Sequence, residues 1–240
     1  MDVFIVTGAS KGNGFELLKQ LQAKGKKVIG IARTIPADVE GFVAADLART
    51  DNLDELMASL IDENRATATS FTLINNAGMV DPIGSIGSVN AEDIAKAIAV
   101  NLTAPVLLAN AFISKLKDFE GLKRIVNISS GAGRNAYEGW GAYCTTKAGL
   151  DHFTRAVALE QANAKHPVDI VSIAPGIIDT GMQETIRVSS EDEFPLLDRF
   201  IHYKEQGLLS TAEETAKKLI AFMDNEDFKA VGPIADIRDF

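Results

Sequence analysis

The sequence predicts an α/β fold: a doubly wound parallel sheet with helices on both faces, in a single domain over residues 1–240. Short β-branched runs alternate with helical patterns from end to end. The strand runs are continuously apolar rather than alternating, as strands covered on both faces are. A length of 240 residues, 46% hydrophobic and 24% charged, suits one large domain with a full core.

The first strand falls at residues 3–6, and Phe15, Leu17, Leu18 and Leu21 mark the helix that follows it. Further strands are expected at 27–31 and 41–45, then a helix through Leu53, Leu56, Met57 and Leu60, then a strand at 71–75. The apolar stretch 97–113 is interrupted by Asn101, Thr103, Pro105 and Asn110. A bilayer span wants roughly 20 uninterrupted apolar residues, so this stretch reads as a buried helix of a soluble protein. Strands at 124–128 and 169–173 flank a helix from about Gly141, and a weaker run at 230–237 closes the sheet. Residues 182–207 break the pattern with Gln183, Glu184, Ser189, Ser190, Glu191, Asp192 and Glu193. They follow the sixth strand on the ligand-binding side of such sheets, and so predict an excursion able to act as a lid.

A net charge of −9 excludes the concentrated basic face that a nucleic-acid binder needs. Met1 and Asp2 lead straight into the first strand, too short a run for a signal-peptide core, so no targeting segment and no membrane partner are expected. One cysteine, Cys144, cannot form an intramolecular disulfide and points to a reducing, cytoplasmic compartment. His152, His166 and His202 share no ligand spacing with it, so no metal site is expected.

Thr7-Gly8-Ala9-Ser10-Lys11-Gly12-Asn13-Gly14 joins the first strand to its helix. Such a turn brings dinucleotide phosphates against backbone N–H groups and a helix N-terminus, where side chains would intrude. The second strand ends on Arg33 with no carboxylate beside it. A carboxylate there would select NAD through the ribose hydroxyls, whereas an arginine fork pairs with a 2′-phosphate. With Lys11 as a second cation, the reading favours NADP(H). Further along, Tyr143 is followed four residues later by Lys147, on the same face of a helix. An ammonium lowers a neighbouring phenol's pKa towards the range where it exchanges protons. Ser129-Ser130 ends the fifth strand in the same layer, as Asn75-Asn76-Ala77-Gly78 ends the fourth. A hydroxyl and a phenol can therefore converge on one carbonyl oxygen.

These residues, with Asp46-Leu47, Asn101 and Pro175-Gly176-x-x-x-Thr180, span residues 7–180 in the order of the short-chain dehydrogenase/reductases, which the chain resembles. The resemblance implies a Rossmann fold and a nicotinamide-dependent reductase of a small-molecule carbonyl. It implies Tyr143 as proton donor, Ser130 as the hydrogen bond on the substrate oxygen, Lys147 on the ribose and near the phenol, and Asn101 holding a relay water. Together with the residue-level reading it gives a cofactor site of Gly8, Ser10, Lys11, Gly12, Asn13, Gly14, Arg33, Asp46, Leu47, Asn76, Ala77, Gly78, Tyr143, Lys147, Pro175, Gly176, Ile178 and Thr180. Residues 128–147 are similar to the branch of bacterial benzil reductases, itself similar to sepiapterin reductases. That branch implies bulky or aromatic vicinal dicarbonyls, for which Tyr137 and Trp140 would form a wall; a pterin or general ketone reductase is the alternative. Asp236 and Asp239 both stand near the position of the pterin-holding aspartate. A homodimer or homotetramer, through the helices from Ala91 and Gly141, is also implied. A non-catalytic NADP(H)-binding redox sensor is the reading from another class.

Overall fold

A computed structural model describes residues 1–37 and 39–240. Among them, strands β1 (Asp2–Thr7), β2 (Lys27–Ala32), β3 (Phe42–Ala44), β4 (Ser70–Asn75), β5 (Leu122–Ile128), β6 (Asp169–Ala174) and β7 (Ile234–Asp236) form one sheet. The order is β3-β2-β1-β4-β5-β6-β7 and every pairing is parallel. Strand order reverses between β1 and β4, which opens a crevice at their carboxyl ends.

Side chains along β1 alternate between two buried layers. Val3 and Ile5 face one apolar layer, with α2 (Leu53–Asn64), α4 (Ala104–Lys115) and part of α5 (Gly141–Gln161). Phe4 and Val6 face the other, with α1 (Gly12–Ala23) and α8 (Ala212–Asn225). Both faces of the strand are thus covered, and its continuous apolar run follows from that.

The stretch Ala91–Lys115 is long and apolar enough to cross a membrane by length and composition. Here it is α3 (Ala91–Ile98), a π-helical turn (Ala99–Thr103) and α4, whose Leu108, Ala109 and Phe112 are core residues. The last strand is shorter than the expected 230–237. Asp227 caps Lys229 N, so Phe228–Val231 forms the short helix α9, and Gly232 at φ +86° then turns the chain into β7. The excursion after β6 is also more regular than its composition suggests. It folds as α6 (Gly181–Arg187) and α7 (Leu197–Glu205) around Ile186, Phe194, Leu197 and Phe200, which are buried with Trp140 and Tyr143.

Candidate active site

The glycine turn meets the segment after β4 at the reversal point. Gly8 has φ +66°, and a Cβ there would lie 2.8 Å from Ala77 Cα. At Gly14 a Cβ would sit 2.4 Å from Gly8 O and 2.5 Å from Asn76 Nδ2, so any side chain would break the turn. Asn76 stitches the two segments together, its Nδ2 donating to Thr7 O at 3.0 Å. Thr7 Oγ1 accepts from the backbone N–H groups of Asn76 and Ala77, both at 3.0 Å. Asn13 Nδ2 donates to Asn76 Oδ1 at 2.9 Å, while Asn13 Oδ1 is buried without a partner. A glycine cradle with an orphaned buried acceptor beside a helix N-terminus fits a dinucleotide.

Lys11 and Arg33 are both exposed, at the ends of adjacent strands β1 and β2. Gly12 packs on Thr180, and a Cβ at Gly181 would lie 3.8 Å from Lys11 Nζ, so the loop after β6 closes over the glycine turn. That loop is braced by Ile178, which bridges Ser210, and by Asp179, which pairs with Lys204 of α7. Pro175 is buried and Gly176 turns at φ +80°. Past β3, Asp46 is exposed and its Oδ1 accepts from Ala48 N, Ser10 stays partly open, and Gly78 is exposed. Leu47 departs from this set, because its side chain belongs to the core.

Ser130 closes β5 as the cap of a short 3-10 turn (Gly131–Gly133), accepting from Ala132 N at 3.2 Å. Tyr143 is buried on the first turn of α5 and Lys147 is buried one turn on. Burial pushes the Tyr143 phenol up, while the nearby Ser130 hydroxyl pulls the other way. Lys147 Nζ lies 5.8 Å from the Tyr143 ring centroid and donates to Ile128 O at 2.8 Å. Burial pushes this ammonium down to about 8, with Asp151 opposing. In the free protein the phenol thus stands above its ordinary value, with desolvation the largest cause.

Asn101 lies in the π turn with its amide engaged: Oδ1 accepts from Met79 N at 2.9 Å, and Nδ2 donates to Met79 O at 2.8 Å and Thr146 Oγ1 at 3.2 Å. A Cβ on Gly78 would lie 3.6 Å from both Asn101 Oδ1 and Lys147 Nζ, so the three segments meet around Gly78. Trp140 stands edge-on to Tyr143 at 5.4 Å and stacks on Phe194 of the excursion at 4.7 Å and 9°. Tyr137 meets Trp140 edge-on at 5.6 Å. Tyr137 and Trp140 pack together, and Trp140, itself buried, anchors the excursion to the start of α5.

Asp236 does not offer a free carboxylate. Arg238 Nε and Nη2 donate to it at 2.8 and 2.6 Å, and Arg134 Nη1 lies 3.8 Å away. Sequence reasoning missed Asp151, a buried carboxylate whose Oδ1 accepts from Ser172 Oγ at 2.6 Å. The signal was present, since Tyr143, Lys147 and Asp151 recur every fourth residue on one helix. Phe194 was hidden in the polar stretch around it.

A parallel sheet with a glycine cradle at its reversal point, and beside it a serine next to a buried tyrosine and lysine, defines the class of nicotinamide-dependent oxidoreductases. The family model for short chain dehydrogenases matches residues 2–191, and the chain belongs to that family. It is 39% identical to a benzil reductase ((S)-benzoin forming) of Bacillus cereus, over 95% of this chain and 96% of that protein. A sepiapterin reductase of Meriones unguiculatus is 31% identical over 99% and 96%. A short-chain dehydrogenase/reductase structure from Saccharomyces cerevisiae superposes with TM-score 0.85 at 25% identity, covering 100% of this chain and 97% of that one.

Proposed function

We propose that this oxidoreductase is an NADPH-dependent carbonyl reductase of small aromatic α-dicarbonyls, converting a benzil-like diketone to an (S)-hydroxyketone. The observation that carries the reading is the buried Tyr143 phenol, with Ser130 and Lys147 near it and the Trp140–Phe194 stack beside it: a proton donor placed next to a flat apolar wall. The 39% identity to a benzil reductase supports the same substrate class. Arg33 and Lys11, exposed at the ends of β1 and β2, support a 2′-phosphate and hence NADP(H).

In this reading a bound reduced nicotinamide supplies the hydride. Gly8, Ser10, Lys11, Gly12, Asn13 and Gly14 bind the pyrophosphate; Arg33 holds the 2′-phosphate; Asp46 and the Leu47 backbone receive the adenine. Asn76, Ala77 and Gly78 line the cleft, and Pro175, Gly176, Ile178 and Thr180 receive the nicotinamide end. Ser130 Oγ holds the substrate oxygen, and the Tyr143 hydroxyl gives it a proton as negative charge develops. Burial keeps that phenol protonated near neutrality, as a donor must be. Lys147 holds the nicotinamide ribose and supplies positive charge beside the phenol. Asn101, in its π-helical turn, holds a relay water. The α6–α7 excursion covers the substrate. Exposed Ile98 and Leu159, on α3 and α5, support assembly of copies into a homodimer or homotetramer, and the lone cysteine supports a cytoplasmic setting.

The pterin reading is left with Asp239, because Asp236 is paired with Arg238 and Arg134. The test is cofactor oxidation with benzil and with sepiapterin, using NADPH and NADH, with chiral analysis of the product. Faster reduction of benzil by NADPH, to one enantiomer, is expected. Equal use of NADH would overturn the Arg33 assignment. Tight NADPH binding without oxidation on any carbonyl would return the protein to the redox-sensor class.

A further inference from the structure

We propose that Asp151 is a positioning residue for the reductase chemistry: this buried carboxylate forms an ionic clasp with Arg134 that holds the Ser130 turn against α5 and gives the Lys147 ammonium its countercharge. This rests on the reading of Tyr143 and Lys147 given above.

Asp151 is 1% exposed, one helical turn beyond Lys147. Its Oδ1 accepts from Ser172 Oγ of β6 at 2.6 Å. Its Oδ2 is buried without a hydrogen bond, and the nearest cation is Arg134 Nε at 3.5 Å. A carboxylate so placed is costly, and an apolar residue would pack the helix on the sheet at lower cost. The neighbouring geometry gives the reason to keep it. A Cβ on Gly133 would lie 2.9 Å from both Asp151 Oδ2 and Lys147 O, so the turn that starts at Ser130 rests on α5 at these two residues. Arg134, next in the chain, reaches over Asp151 and is braced by the last strand. Its Nη2 donates to Ala235 O at 2.6 Å and its Nη1 lies 3.8 Å from Asp236, which Arg238 holds in turn. Charge alternates along Lys147, Asp151, Arg134, Asp236 and Arg238, from the cleft to the C-terminal strand.

The groups around the Lys147 ammonium are few. Its own helix offers Tyr143, Cys144 and Asp151; the turn after β5 offers Arg134; the C-terminal strand offers Asp236 and Arg238. The segments after β4 and in the π turn present Gly78 and Asn101, and β5 presents the Ile128 carbonyl, all uncharged. Burial pushes Lys147 down to about 8 and Asp151 is the group that opposes it. Removing the carboxylate lets the ammonium lose its proton at lower pH. Removing Arg134 leaves the carboxylate unopposed and has the reverse effect.

The experiment compares the full-length protein with Asp151→Asn and Arg134→Gln. Two quantities are followed against pH: reductase turnover, and competitive acetylation of Lys147 in the cofactor-free protein, mapped by mass spectrometry. With Asp151→Asn, kcat falls about tenfold with KM little changed, as for loss of alignment. Both the alkaline limb and the Lys147 labelling midpoint move to lower pH; with Arg134→Gln both move to higher pH. A purely structural role would leave the two midpoints in place, or move them in the same direction, and either result overturns the clasp. If Asp151→Asn does not fold, Arg134→Gln decides alone by whether its labelling midpoint rises or stays. Tyr143→Phe separates the two layers of argument. An active Tyr143→Phe overturns the catalytic reading, whereas an inactive one with unmoved midpoints overturns only the role of Asp151.

Discussion

The two halves of the cleft are built from different materials. On the β1–β4 side, the turn at residues 7–14 gets its shape from close backbone approaches: Gly8 against Ala77, and Gly14 against Gly8 O. The charged side chains at that edge, Lys11 and Arg33, are exposed. On the β5–β6 side, the shape comes from buried side chains. Asn75 and Asn127 lie opposite each other on β4 and β5, joined by a 2.8 Å hydrogen bond, and Asn127 Nδ2 donates to Thr154 of α5 at 2.9 Å. Ser172, opposite Asn127 on β6, holds Asp151 of the same helix. A backbone cradle recognises phosphate through N–H groups and tolerates little change of shape. A helix bolted down by polar side chains fixes where a proton donor sits, and it couples that position to charge.

The largest expected effect breaks the two halves apart. Tyr143→Phe removes the phenolic proton and leaves the cradle intact, so kcat falls on the order of a thousandfold while NADPH affinity is unchanged. Steady-state kinetics beside a fluorescence titration of NADPH checks both. A parallel loss of affinity would show that the halves are not separable. Gly14→Ala is the converse. Its Cβ meets Gly8 O at 2.4 Å, and relieving that overlap costs about 1–3 kcal/mol of stability. NADPH affinity falls with it, while turnover at saturating cofactor keeps most of its value; thermal melting and the same titration report the outcome.

Arg33→Ala tests the exposed edge of the cradle. A charged hydrogen bond to a phosphate contributes about 1.5–3 kcal/mol, so NADPH binding weakens roughly 10- to 100-fold. NADH binding stays as it was, and a matched loss for NADH would mean that Arg33 meets the shared part of the cofactor.

This division also governs what the sequence makes legible. Glycines that permit a close approach leave a mark in the chain itself, so residues 7–14 and their place at the strand reversal were readable, as were the strands β1 to β6. Tyr143 and Lys147 were readable because a helix repeats every fourth residue. Asp151 follows the same rule, yet its meaning depends on Ser172 and Arg134, which are adjacent only after folding. The same is true of Phe194, whose stacking on Trp140 turns a polar-looking excursion into two helices with their own apolar core. The end of the chain misled for a local reason: the Asp227 cap and Gly232 cut an apolar run into a helix and a short strand.

The smallest expected effect lies at the opposite end of the sheet, and it serves as the control for the rest. Asp2, at the start of β1, has a carboxyl held at about 2, chiefly by Lys26 at 2.6 Å and Ser70 at 2.7 Å. Its ordinary value is about 3.9. Protons therefore bind the unfolded chain first, and the contribution to stability is fully present above about pH 4 and lost as pH falls towards 2. The carboxylate is well exposed, so solvent screens the pair and the effect on Tm is small. Asp2→Asn should melt slightly earlier than the parent near neutrality, and the gap should close as acid is added. Neither NADPH affinity nor kcat should move, because Asp2 lies at the opposite end of β1 from the glycine turn. A constant gap down to about pH 2 would assign the loss to packing rather than to the charge.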